Sequence, residues 1–170
     1  MRRLGAAETE EWIGNNACRQ FQQLYHLYLS GTEVSPEDRL RILDGGLQSD
    51  ARNERELCVE ALGQMLETAH FTRTGGGEEI GSQRLEDWTP KTYGDIWSFH
   101  RVAMSRLADI GTGNDEFARR ARSLLGSHIR GLLNAVPLDD VKAMIERIVA
   151  QVGISLEAIQ GVNSWLYFGH

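Results

Sequence analysis

The sequence predicts an all-α protein of stacked antiparallel helical pairs, and three observations predict it. Apolar residues recur at intervals of three and four along most of the chain. Each of the three prolines stands at the start of such a pattern, and none interrupts one. Nowhere do apolar and polar residues alternate with period two for more than a few positions, as a half-buried strand would require.

Taken in order, the first element is expected over about 6–29, with Ile13, Ala17, Phe21, Leu24 and Tyr28 on one face and Trp12 and Tyr25 beside it. A short helix follows at about 36–46. It opens on Ser35-Pro36-Glu37-Asp38, a capping residue with proline and acids in the first turn, and is expected to end at Gly45-Gly46. The segment 52–71 is the most regular, with Leu57, Cys58, Ala61, Leu62, Met65, Leu66 and Ala69 in helical register. Thr89-Pro90 is read as the start of a helix over 91–110 that presents Tyr93, Ile96, Trp97, Ala103, Met104 and Leu107. Residues 115–134 present Phe117, Ala121, Leu124, Leu125, Ile129, Leu132 and Leu133. Val136-Pro137 opens 137–152, with Leu138, Val141, Met144, Ile145, Ile148 and Val149 apolar. A last helix is expected from Ser155 into Trp165-Leu166-Tyr167-Phe168. The positions expected to be buried include Leu62, Met65, Leu66, Leu124, Leu125, Ile145 and Ile148.

Short connections pair these helices as about 36–71, 91–134 and 137–168, within a single domain over 1–170 that is also consistent with a fragment of a longer chain. Pro36, Pro90 and Pro137 lie 54 and 47 residues apart. That spacing is similar to the ~40–47 residues of HEAT-type helical pairs and implies a HEAT-like α-solenoid, with a plain helical bundle as the alternative.

Composition narrows the function. The chain has 170 residues, is 41% hydrophobic and carries a net charge of −6, which suits a packed core and disfavours nucleic acid or an anionic membrane as partner. No apolar run approaches the ~18 residues of a membrane span, and the acidic turn after Ala7 does not read as a secretory leader. Cys18 and Cys58 fall in helical patterns, as buried free thiols of a cytoplasmic protein would. Only Lys91 and Lys142 of the 18 Lys and Arg are lysine, a bias attributed first to codon usage and second to anion recognition by the planar guanidinium.

The connection over 72–89 is the candidate functional segment, because joining two helices takes only about two to eight residues. Arg73, Glu78, Glu79 and Arg84 offer contacts of both signs to a protein partner, Gly75-Gly76-Gly77 loosens the segment, and Trp88 can pin its exit. It is not a phosphate cradle. No Gly-Lys-Ser/Thr follows the glycines, no strand precedes them, and Glu78 and Glu79 would repel a phosphate. No metal or cofactor is expected, since His26, His70, His100, His128 and His170 stand singly, without His-x₃-His or Cys-x₂-Cys spacing. The cluster Arg119-Arg120-Ala121-Arg122, with Arg130, lacks interleaved aromatics and reads as a solvated face.

Two resemblances bear on function. HEPN ribonucleases place an Arg four to six residues before a His on one helix, and Arg122 with His128 has five residues between, as Arg19 with His26 has six. About 1.4 such matches arise by chance in a chain of this composition, and Ser123 stands where that family carries Asn, Asp or His. The resemblance implies a small helical ribonuclease with Arg122 and His128 as catalytic pair, which is the enzymatic alternative. The second covers about residues 40–110. Ala61-Leu62-Gly63-Gln64-Met65-Leu66, then His70 to Glu78, then Gly81 to Thr92, resembles a helical region of large bacterial proteins with a sirtuin-like or signal-transducing NTPase module, of the anti-phage type. It implies a scaffold or sensor module that binds a protein partner or connects modules of a larger chain. A helical dimerisation bundle, a homo-oligomer without chemistry, is the third reading.

Overall fold

The computed structural model describes residues 1–8, 16–69 and 86–153, the backbone of 79–80 and 83–84, and residues 159–160, 162–163 and 166. Among them the protein is all-α. The helices delimited among the described residues are α1 (Arg2–Ala6), α2 (Ala17–Gln23), α3 (Pro36–Leu47), α4 (Arg52–Gln64), α5 (Tyr93–Gly111), α6 (Glu116–Ala135) and α7 (Leu138–Val152). The only strands among the described residues are β1 (Glu79–Ile80) and β2 (Gln83–Arg84), a minimal antiparallel pairing that sets Glu79 opposite Arg84. The chain divides into two compact units, one of residues 1–64 with 70–91 and one of residues 65–69 with 92–170.

In the first unit α4 is the common neighbour of α1, α2 and α3. Its apolar register delivers Leu57, Cys58, Ala61 and Leu62 into the core, where they join Phe21 and Tyr25, and Leu40 and Leu43 of α3. Met65 and Leu66, in the turn after α4, are buried as expected, whereas Ala69 is exposed. Of the helix expected over 6–29, residues 9–15 lie outside the described residues, and the described part holds α2 over 17–23 and no helix over 24–29. The Asn16 side chain accepts a hydrogen bond from Arg19 N at 2.9 Å and so starts α2 afresh, and the chain turns out of helix at Leu24. A capping residue satisfies a backbone donor that a continuous helix would satisfy itself, which is why it marks a beginning.

α3 starts where expected, with Ser35 Oγ accepting from Asp38 N at 3.3 Å and Pro36 in the first turn. It does not stop at Gly45-Gly46 but runs through both to Leu47. Gly46 serves packing rather than termination, because a Cβ there would collide with the Cys58 thiol of α4. Ile42 faces outward, 48% exposed.

In the second unit α5 and α6 form a hairpin across Thr112–Asp115, and α7 lies against both. The core is built from Ala103, Met104 and Leu107, from Leu124, Leu125, Ile129 and Leu132, and from Val141 and Met144. Arg101 clips α5 to α7 by donating from Nε and Nη2 to the two oxygens of Asp140 at 3.1 and 2.7 Å, and Arg147 of α7 donates from Nη2 to Asp109 Oδ1 of α5. Three expectations are corrected here. α5 begins with a reciprocal cap between Thr92 and Asp95, so Pro90 and Thr89 lie outside it. Its first two turns are exposed at Tyr93 and Trp97, and burial starts only at Phe99. On α7, Ile145 and Ile148 are half-buried rather than buried, because Val141 and Met144 take up its contact with the core and leave the rest of a wide apolar stripe at the rim.

α3 thus lies against α4 in the first unit, and α5 against α6 in the second. The pairing of 137–152 with 155–168 lies outside the described residues, as do Trp12, Ile13, Trp165, Tyr167 and Phe168. No helix among the described residues is long and apolar enough to cross a membrane.

Candidate functional site

Among the described residues, the exit of the 72–89 connection is held against the rest of the first unit by contacts at Glu86 and Trp88. Trp88 N donates to Thr32 O at 2.9 Å, Glu86 N donates to Glu33 Oε1 at 3.0 Å, and the Arg39 guanidinium lies over the Trp88 ring, 5.8 Å from its centre. Of the residues expected to meet a partner, Glu79 and Arg84 are brought opposite each other by the strand pairing, and Arg73 and Glu78 lie outside the described residues. Trp88 pins the exit as expected. The segment it is pinned to is itself sharply bent, with Leu29 at φ 55° and Gly31 at φ 76°, both in the left-handed region. For a leucine this conformation is strained by about 1–2 kcal/mol and must be held by its surroundings.

Arg39 is the centre of this arrangement and is only 3% exposed. Its position on α3 falls next to Leu40 and in phase with Leu43, so the helix turns it toward the core. There Nη1 donates to Leu24 O at 2.6 Å and to His26 O at 3.3 Å, while Tyr25 Oη donates to the Arg39 carbonyl at 3.4 Å. Burial pulls the guanidinium pKa below its usual value, opposed by Tyr25 and by Asp87. The Tyr25 hydroxyl is pushed up, chiefly by burial.

Beside Arg39 opens a cleft of about 410 Å³, within the size range of ligand sites. Arg2, Arg3 and Arg39 line it together with Phe21, Tyr25 and Thr32, and Leu24, Val34 and Ile42 add apolar surface. Arg2 is oriented by donating from Nε to Glu54 Oε1 at 2.7 Å and from Nη1 to Ile42 O at 2.9 Å. The Glu54 carboxyl is held below its usual pKa, first by a hydrogen bond from Ser49 and further by Arg2, against the opposing effect of burial. Thr32 and Arg39 therefore belong both to the cleft and to the seat of Trp88. The foot of the long connection and the arginine cleft are one surface.

The residues of the ribonuclease alternative do other work. Arg122 Nη1 donates to Gly111 O at 2.6 Å and to Gly113 O at 3.0 Å, closing the end of α5. His128 Nδ1 faces Leu124 O at 2.8 Å, and its Nε2 lies 3.7 Å from Glu67 Oε2. Arg122 is thus directed at the α5 terminus and His128 at Glu67. The same turn of Arg122 takes it out of the basic cluster, whose Arg119 and Arg120 stay exposed. His100 is buried, hydrogen bonded through Nδ1 to Met65 O at 2.8 Å. Among the described residues no group of three His, Cys, Asp or Glu is arranged to hold a metal.

Sequence reasoning missed Arg2, Arg3 and Arg39. The available signal was an arginine in phase with an apolar helical face, and it was lost among the many scattered arginines. Comparison with known protein families, with curated proteins and with solved structures finds no match for this chain.

Proposed function

We propose that the chain is a non-catalytic binding module whose helical pairs stack in HEAT-like fashion and present the 72–89 side of the first unit to a protein partner. The partner is a separate protein or a neighbouring module of a larger protein of the anti-phage NTPase type that the sequence resembles. One observation carries this reading. The long connection is anchored at its foot, through Trp88, Thr32 and Arg39, to a ligand-sized cleft, so a segment far longer than connection requires is joined to a surface that can bind. Rigid elements that position a long surface loop are the common architecture of recognition sites.

The test is cross-linking of the tagged chain in cells that produce it, with and without residues 74–83 replaced by a brief polar linker. The shortened chain should melt within a few degrees of the original, because loop-closure free energy changes by only about 0.6 kcal/mol per doubling of length, and should lose its cross-linked partner or module. An unchanged cross-linking pattern, or RNA cleavage abolished by both Arg122→Ala and His128→Ala, would overturn the reading.

A further inference from the structure

We propose that the cleft between α1 and α3 takes an acidic peptide segment, an Asp or Glu side chain next to an apolar one, supplied by the partner protein. This rests on the binding role proposed above and names the chemistry of the partner. Three guanidinium-bearing residues and no carboxylate line this cleft of a chain whose net charge is −6, with Glu54 beside Arg2 and Asp87 near Arg39 balancing part of their charge from outside the lining. Guanidinium groups match carboxylates through paired, parallel hydrogen bonds, which a point charge cannot do.

The three arginines differ in their preparation. Arg39 and Arg2 are fixed, the first by the carbonyls of Leu24 and His26 and the second by Glu54 and the Ile42 carbonyl. Arg39, 3% exposed, contributes its charge from beneath the cleft, while Arg2, held in place beside Glu54, loses little freedom on binding. Arg3 is exposed and lines the cleft, with Glu54 near enough to feel its charge, so it is the group with the freedom to close over an incoming carboxylate.

The rest of the lining selects the neighbour of that carboxylate. Val34 and Ile42 are 43% and 48% exposed at the cleft, an apolar rim that an aliphatic or aromatic side chain would cover. A long polyanion such as a nucleic acid would meet the acidic remainder of the protein along its length, whereas a short acidic segment engages the arginines alone.

The test uses the full chain and fluorescein-labelled pentapeptides, acetylated and amidated, with Glu, Gln or Lys at the centre and Leu or Ser on both sides. The Leu-flanked Glu peptide should bind at least tenfold more tightly than its Gln and Lys counterparts, and severalfold more tightly than the Ser-flanked one. Arg3→Glu and Ile42→Ser, both at exposed side chains and checked for unchanged melting, should each weaken it at least fivefold. Equal affinity for Glu and Gln peptides, affinity unmoved by Arg3→Glu, or no binding by any peptide would overturn the proposal. So would acetate or inorganic phosphate competing at the peptide's own concentrations, which would make a small anion the occupant. The chain shortened at 74–83 should bind the peptide as the full chain does. Loss of the cross-linked partner with peptide binding intact then speaks to the loop, and loss of peptide binding with the partner retained speaks against the cleft.

Discussion

Arg122 closes the C-terminal end of α5 by donating 2.6 Å to the Gly111 carbonyl from the facing helix. The last carbonyls of a helix have no partner within it, and a cation there also meets the negative end of the helix dipole. Arg122→Ala should therefore destabilise the second unit by about 1.5–3 kcal/mol, the range of hydrogen bonds to a charged group. Arg122→Lys should recover only part of this, since Gly111 and Gly113 are both reached by Nη1 at the tip of the longer arginine side chain and the lysine ammonium is more strongly hydrated. Urea denaturation of the three chains decides, and a silent Arg122→Ala would return the residue to the candidate catalytic groups.

Adjacent glycines in α3 should respond oppositely to alanine. At Gly45 a Cβ meets only Arg2 Nη1, 3.2 Å away at the end of a long side chain that needs to give by a few tenths of an ångström, so Gly45→Ala should stabilise by about 0.5–1 kcal/mol through helix propensity. At Gly46 it meets the Cys58 thiol inside the α3–α4 contact, and Gly46→Ala should cost about 1–3 kcal/mol as overpacking. The two midpoints should move in opposite directions. Equal shifts would mean that α3 and α4 are not this close.

Core truncations should grade with burial. Leu125, 2% exposed, should cost about 2–5 kcal/mol as Leu125→Ala. Ile145, half-buried on α7, should cost about 1–2 kcal/mol as Ile145→Ala, because part of its surface already meets water. Equal costs would show that the rim of α7 is covered in solution.

Burial lowers the pKa of His100 below its ordinary 6.5, opposed by the Met65 hydrogen bond and aided by the nearby His128. The folded chain therefore resists a proton that the unfolded chain accepts. This contribution is complete above pH 6.5 and is lost as pH falls below that value, with a slope of at most about 1.4 kcal/mol per pH unit, until the folded state also protonates. His100→Gln should flatten the melting temperature between pH 6.5 and 5. A variant whose slope matches the original would place the pH dependence elsewhere.

The helices of the second unit were legible because period and caps agree. Asp115 caps α6 through Ala118 N at 2.8 Å, and the faces of α5 beyond Phe99 and of α6 follow the apolar register. Starts were misread where two signals competed. Thr89-Pro90 and Thr92-x-x-Asp95 both mark a helix beginning, and the reciprocal side-chain bonds of the second pair outweigh the fixed φ of proline. Gly45-Gly46 reads as a terminator because sequence shows the missing Cβ but not the helix that fills its place. The cleft was illegible for a related reason. Arg2 and Arg39 are separated by the whole of α2 and its bent exit, and only the packing of α1 and α3 on α4 brings them together.

The close fit of Gly46 on Cys58 also determines what a thiol reagent can report. Both cysteines of the chain belong to the first unit. Cys18 is half-buried and donates to the Gly5 carbonyl at 2.8 Å, while Cys58 is fully buried and its pKa is pushed up to about 11, chiefly by burial. A thiol held so far from its reactive anion is inert until α3 lifts away from α4. The labelling of Cys58 is thus a built-in clock for the opening of the first unit around α4.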